Sequence, residues 1–168
     1  MSHFVIGSLK SENWYTEADF DWLPAGGVIA DCLKDLKPDG GILSVYEVEE
    51  TASDDLVRRI VAAIAAGANN PRDVAYFRFP RAAVEALQVT INPDEPGRTG
   101  DDEVNALHRD LQQLSATKLA ELAGAMAHGT LGRFTAKTLR ERIKAEVEAR
   151  RLALEKVSRK LRDELGLG

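Results

Sequence analysis

The longest unbroken pattern in the chain, and the one that most constrains its fold, is the run over residues 135–165. It holds no glycine or proline and is built almost wholly from Ala, Leu, Glu, Lys and Arg, which favours helix throughout. Thr138 followed by Glu141 fits a capping box, and Gly166 supplies a stop. Leu139, Ile143, Val147, Leu154, Val157, Leu161 and Leu165 recur at three- and four-residue steps and share one stripe of a helix, broken only at Arg150. Beside the stripe, Glu146 with Arg150, Lys144 with Glu148 and Glu155 with Arg159 stand four apart, so each pair is adjacent on a helical surface.

A single helix of about thirty residues rises about 1.5 Å per residue and reaches about 45 Å. A body of roughly 130 residues has a radius of gyration near 14 Å, so such a helix overruns it. Its apolar stripe therefore needs a cover, and the simplest one is a second copy of the same helix. The pattern predicts a long amphipathic arm over residues 133–168 that makes a coiled-coil homodimer through the seven stripe residues.

Charge is divided along the same line. Residues 1–131 hold 11 basic and 21 acidic side chains, whereas residues 132–168 hold 11 basic and 6 acidic ones. An acidic body beside a basic arm suits docking of the arm on its own body or its twin's. Nucleic-acid binding through Arg140, Lys144, Arg151, Arg159, Lys160 and Arg162 is the competing reading, weakened by the glutamates interleaved among them.

Before the arm the chain reads as α/β. Residues 3–9 form a first strand, followed by an aromatic and acidic segment with Trp14, Tyr15, Phe20 and Trp22 among Glu12, Glu17, Asp19 and Asp21. That segment is expected to fold back as a lid on the core, with an exposed binding surface as the alternative. A short helix over 28–36 and a turn through Pro38, Gly40 and Gly41 lead to a strand at 42–48, apolar on both faces and so expected to have helices on both sides. Ser53 caps a helix with Leu56, Val57, Ile60, Val61 and Ile64 on one side, and residues 74–79 form the next strand. Strand, helix, strand is a βαβ unit with parallel pairing, and residues 81–91 repeat it weakly.

The expected fold is α/β (or α+β): a small, mostly parallel sheet of 3–4 strands with flanking helices, followed by a helical region ending in a long helix. Its divisions are an α/β domain at 1–92, a loop at 93–100 with Pro93, Pro96, Gly97 and Gly100, a helical segment at 101–132 packing on the domain, and the arm.

Residues 33–50 resemble the helix, turn and strand late in the sheet of class I S-adenosylmethionine methyltransferases, where a Lys-Pro-Gly-Gly turn precedes a strand. The resemblance covers about a tenth of the chain, carries an additional Asp39 and concerns a structural turn. Those enzymes hold the cofactor with a glycine-rich loop after the first strand and an acidic residue ending the second; here Gly7 stands alone, and no cofactor is expected.

Other constellations are sparse. Asp101, Asn105 and His108 fall at i, i+4 and i+7, which on a helix would let a carboxylate orient an imidazole beside the 93–100 loop. Asp101 is equally a helix cap. His108 equally suits a hydrogen-bonded structural role. Ser115 and Lys118 match S-x-x-K without its partner motifs, and Gly26-Gly27 lacks the third glycine of a phosphate loop. His3 and His128 offer no ligand spacing, so no metal is expected.

The single Cys32 cannot form an intrachain disulfide, the N-terminus carries no basic stretch or apolar core of a signal peptide, and no apolar run approaches 18 residues. These set an expectation of a cytoplasmic protein without membrane association. The function expected is non-catalytic: an interaction or regulatory protein that self-associates through the arm and binds an unidentified protein. The alternative is a small enzyme or nucleotide-binding domain, its site at the carboxyl ends of the strands near Glu49, Glu50, Phe79, Arg81 and Arg98.

Overall fold

The computed structural model describes residues 1–9, 14, 16, 18–36 and 38–167, and only the backbone of Ser8. Glu12, Tyr15 and Glu17 of the aromatic segment and Lys37 of the following turn lie outside the described residues.

Among the described residues six strands form one sheet: β1 (Ser2–Leu9), β2 (Leu43–Glu49), β3 (Val74–Pro80), β4 (Thr90–Asn92), β5 (His108–Gln112) and β6 (Thr130–Phe134), in the spatial order β4-β5-β2-β1-β3-β6. Every neighbouring pair is antiparallel, so the architecture is α+β and the expected small parallel sheet is not formed. The helix α2 (Asp54–Ala65) does connect two strands that run the same way, but β2 and β3 do not touch. β1 lies between them and pairs with both. It is a βαβ unit split by an inserted strand.

The period-two alternation of the strands sends side chains to two cores. On the first face, Phe4, Ile6, Val45, Phe77, Phe79 and Leu111 pack under α1 (Leu33–Leu36), α3 (Arg81–Ala86) and α5 (Ala116–Ala127). Trp14 closes part of this core, its ring centroid 4.6 Å from that of Phe77 and its Nε1 donating to Asp35 Oδ2 at 3.1 Å. Phe20 and Trp22 do not join it; they stack on each other at the surface, with Trp22 71% exposed. The aromatic segment thus divides between lid and surface.

On the second face, Val5, Tyr46, Val48, Tyr76 and Phe134 meet α2, α6 (Ala136–Glu148) and α7 (Arg159–Leu165), with Val104 from α4 (Asp102–Ala106). The expected long helix is broken here. Its cap is Thr135, whose hydroxyl accepts from Thr138 N–H at 3.2 Å, so Thr138 lies inside the first turn instead of at the cap. α6 ends at Glu148, and Arg150 adopts a left-handed conformation with φ of 58°. Leu152 N–H returns to the Glu146 carbonyl at 3.2 Å, closing the helix end. Ser158 then caps α7 and donates through its hydroxyl to the Ala68 carbonyl at 2.9 Å.

Breaking the helix lets both halves cover their own sheet. Leu139, Ile143, Val157 and Leu161 are fully buried within the chain, and Val147 and Leu165 pack at the margin of the same core. Six of the seven stripe residues are thus used within the chain, and the seventh, Leu154, is half-buried in a short turn at Leu154–Lys156 outside either helix, so no continuous coiled-coil seam is formed.

The segment 101–132, expected to be helical, contributes β5 and β6, so the sheet is completed only by residues beyond 92. Leu107, Leu111 and Leu114 have helical spacing, but a five-residue strand needs only Leu111 on its core face. Gln113, with φ of 62°, turns the chain immediately after it.

Candidate functional site

α2 crosses the second face over β1, which leaves the β2, β5 and β4 part of that face less covered. Antiparallel register aligns polar side chains there: Ser44 on β2 faces Asp110 on β5, and Asp110 faces Asn92 on β4. One step along, Tyr46 faces His108. These residues floor an open cleft of about 630 Å³, walled by Ala63 and Ile64 of α2 and rimmed by Arg98 and Lys156. The size is that of a small-molecule site.

The rim is fastened from two directions. Asn105 Oδ1 accepts from Thr99 N–H at 2.9 Å and from Thr99 Oγ1 at 2.7 Å, while its Nδ2 donates to the Thr99 carbonyl at 3.0 Å. Gly97 packs so closely that a Cβ would lie 2.8 Å from Asn105 Oδ1. Ala153 N–H donates to the Gly100 carbonyl at 2.7 Å and brings the backbone before Lys156 against the loop. The loop at 93–100 is thereby an ordered wall.

At the floor, His108 Nδ1 donates to the Glu95 carbonyl at 2.7 Å; the partner is an acceptor only, so the proton sits on Nδ1. Nε2 lies 3.5 Å from Asp110 Oδ1, and the Ser44 hydroxyl donates to that same oxygen at 3.1 Å. Among the described residues these are the only side chains in ion-pair or hydrogen-bond range of the Asp110 carboxylate, although the residue is only 9% exposed. The Tyr46 ring meets His108 edge-on at 5.5 Å. Burial, and then the Asp110 carboxylate, push the Tyr46 hydroxyl up to about 12.

The structure separates the three residues with helical spacing. Asp101 caps α4, accepting from Val104 N–H at 3.1 Å, and is clamped by Arg59. Asn105 holds Thr99. Only His108 reaches the cleft, and its carboxylate neighbour is Asp110, two residues along a strand. Reading β5 as helix hid Asp110, Ser44 and Tyr46. The alternation of His108, Asp110 and Gln112 against Arg109 and Leu111 was the signal for them.

The other anticipated sites resolve into scaffold. Phe79 is core, and Arg78 donates to the Glu49, Glu50 and Ala52 carbonyls. Arg81 donates to Glu47 Oε1 at 2.7 Å, and Arg109 donates to Glu47 Oε2 at 2.9 Å. Burial raises the Glu47 carboxyl, but hydrogen bonds from Arg81, Ser2 and Arg109 outweigh it and hold it below its ordinary value. An antiparallel sheet has no common carboxyl edge to collect these groups, and of that set only Arg98 lines the cleft. Ser115 caps α5, and Lys118 Nζ donates to the Gln88 carbonyl at 3.0 Å, which accounts for the S-x-x-K pair. Gly26 sits against α5, where a Cβ on Gly124 would strike its carbonyl.

On the arm, Lys144 approaches Glu148 at 3.8 Å, Lys160 approaches Glu164 at 3.9 Å, Arg140 approaches Glu164 at 3.5 Å and Arg151 reaches Glu146 at 2.6 Å. Its basic groups are largely matched within the chain. Cys32 is buried, and burial with the nearby Asp35 and Asp31 pushes its thiol up to about 11 against an opposing backbone hydrogen bond.

Among the described residues, no group of three or more His, Cys, Asp or Glu side chains is placed to hold a metal ion, and no helix is long and apolar enough to cross a membrane. Comparison of the chain with protein-family models, with curated proteins and with solved structures finds no significant match, so the reading of the cleft rests on its own chemistry.

Proposed function

We propose that this chain is a binding protein for a small polar molecule held on the β2, β5 and β4 floor. The observation that carries the reading is Asp110, a buried carboxylate with a hydroxyl and one imidazole as its side-chain partners, at the bottom of an open cleft. Withdrawing a carboxylate from water with only one hydroxyl and an imidazole 3.5 Å away beside it is costly, and stability alone selects against it. A ligand that donates to Asp110 supplies what the fold does not.

The test compares wild-type protein with Asp110→Asn. Removing the charge is expected to leave the melting temperature of the unliganded protein unchanged or raised, the trade seen where binding groups strain a fold. In a thermal-shift panel of amino acids, nucleoside monophosphates and monosaccharides, one class should stabilise wild type by linkage and fail to stabilise the variant. A destabilised variant together with no stabilising class would overturn the proposal.

A protein-association reading retains one observation in its favour, the exposed Phe20 and Trp22 stack, since aromatic residues of this kind anchor interfaces. Sedimentation velocity on wild type and Trp22→Ser addresses self-association through it. Equal, monomeric behaviour of the two at micromolar concentration would remove that form of the reading.

A further inference from the structure

The cleft is polarised. Its floor carries Asp110, its rim carries Arg98 and Lys156 together with Glu95, whose carbonyl holds His108, and the uncharged Ser44, Asn92 and Gln112 lie with them in the lining. Among the described residues neither Arg98 nor Lys156 has a carboxylate partner, in contrast to the paired cations of the arm. The buried charge is negative, and the exposed rim, two cations against the one carboxylate of Glu95, is net positive.

Asp110 itself accepts from only one side-chain donor among the described residues, the Ser44 hydroxyl. The Nδ1 proton of His108 is committed to the Glu95 carbonyl, so when the ring carries that proton alone its Nε2 is an acceptor, 3.5 Å from the Asp110 carboxylate oxygen. The Ser44 hydroxyl spends its proton on the same oxygen and keeps acceptor capacity at Oγ. In that form of His108 three acceptors lie together around Asp110 Oδ1. An ammonium carries three N–H donors and a positive charge, which matches both the number of acceptors and the sign of the floor. A carboxylate at the opposite end of the same molecule matches Arg98 and Lys156. Ala63 and Ile64 offer an apolar wall between the two ends.

We infer that the ligand is a zwitterion of the amino-acid class, its ammonium received by Asp110, Ser44 and His108 and its carboxylate by Arg98 and Lys156, with an apolar side chain against α2. This rests on the proposed binding role of the cleft and specifies its ligand.

Isothermal titration of the full chain with L-leucine and L-phenylalanine tests it, with N-acetyl-L-leucine and L-leucinamide as probes lacking one charge each, and adenosine monophosphate and glucose as probes of other classes. A free amino acid should bind, and blocking either its amine or its carboxylate should weaken binding at least tenfold. Asp110→Asn should mirror the loss caused by N-acetylation, and the double variant Arg98→Ala, Lys156→Ala should mirror the loss caused by amidation. The far-ultraviolet circular dichroism of both variants should stay that of wild type, since Asp110→Asn keeps the side chain's size and Arg98 and Lys156 are exposed. Equal binding of the acetylated or amidated probe would overturn the inference. Binding of adenosine monophosphate or glucose, dependent on Asp110, with none of the amino acids would overturn it while leaving the binding role of the cleft intact. Absence of binding by every probe, with Asp110→Asn destabilising the fold, would overturn both.

Discussion

Arg59 grips Asp101 with two parallel hydrogen bonds, Nε to Oδ2 at 2.6 Å and Nη2 to Oδ1 at 2.7 Å, and the carboxylate is almost wholly buried. The pair joins α2 to the cap of α4, and Arg59 Nη1 extends it to Glu103 at 2.6 Å. Glu146, also buried, accepts from Arg151 Nε at 2.6 Å, forms an ion pair with Arg142 at 2.6 Å without a hydrogen bond, and lies 3.9 Å from Arg59, so α2, α4 and α6 share one ionic cluster. Breaking one member of a buried pair leaves its partner uncompensated. Asp101→Ala is expected to lower unfolding free energy by about 3–5 kcal/mol, and Asp101→Asn, which preserves a cap acceptor, by less. Urea denaturation reads both. A loss under about 1 kcal/mol for Asp101→Ala would show the clamp to be worth no more than a surface pair.

The intramolecular burial of the arm makes a second prediction. Deleting residues 135–168 removes Leu139, Ile143, Val157 and Leu161 from the second core and uncovers α2. The truncated chain should lose its cooperative melting transition, whereas a body merely carrying a dimerisation arm would remain folded. Leu161→Ala is the milder form of the experiment, expected to cost about 2–5 kcal/mol by lost burial and cavity formation.

Gly132 on β6 lies directly across from Tyr76 on β3, and a Cβ there would lie 2.0 Å from the tyrosine Cζ. Gly132→Ala should destabilise by about 1–3 kcal/mol through overpacking. In the Tyr76→Ala background the same change should cost far less, a coupling visible in a double-mutant cycle. Equal costs in the two backgrounds would place the effect of Gly132 in its backbone and not in this contact.

Cys32 and Tyr46 set the alkaline limit. Both are held neutral by burial, with nearby carboxylates acting in the same sense, and their values rise from 9.0 to about 11 and from 10.0 to about 12. A group whose value is raised by folding contributes stability below its unfolded value and loses that contribution as pH climbs through the folded one. Stability should therefore decline between about pH 9 and 12, beginning with Cys32. Thermal melts from pH 8 to 11 on wild type and Cys32→Ala check this, the variant losing the earlier part of the decline. Native Cys32 should also resist thiol reagents at pH 8 and react only on unfolding.

Several local features were legible in the residues. Ser53 caps α2 as its hydroxyl and the following aspartates indicate, accepting from Leu56 N–H at 3.2 Å. The apolar alternation on both faces of β2 matches helices on both sides of the sheet. Arg150, the single interruption of the arm's stripe, marks the place where the chain leaves the helix. The cleft was less legible because Asp110 and Ser44 are 66 positions apart, and only strand register sets them together.

The sequence by itself determined where helix and strand nuclei lie over residues 1–92, which residues cap them, and which side chains must be buried, because these depend on neighbours one to four positions away. Strand order was decided only by tertiary structure: whether β1 inserts between β2 and β3 depends on which pairing covers both apolar faces at once. The fate of residues 135–165 was decided there too. Helix propensity favoured an unbroken rod, and the greater burial available to Leu139, Ile143, Val157 and Leu161 on the sheet folded it back through a left-handed Arg150.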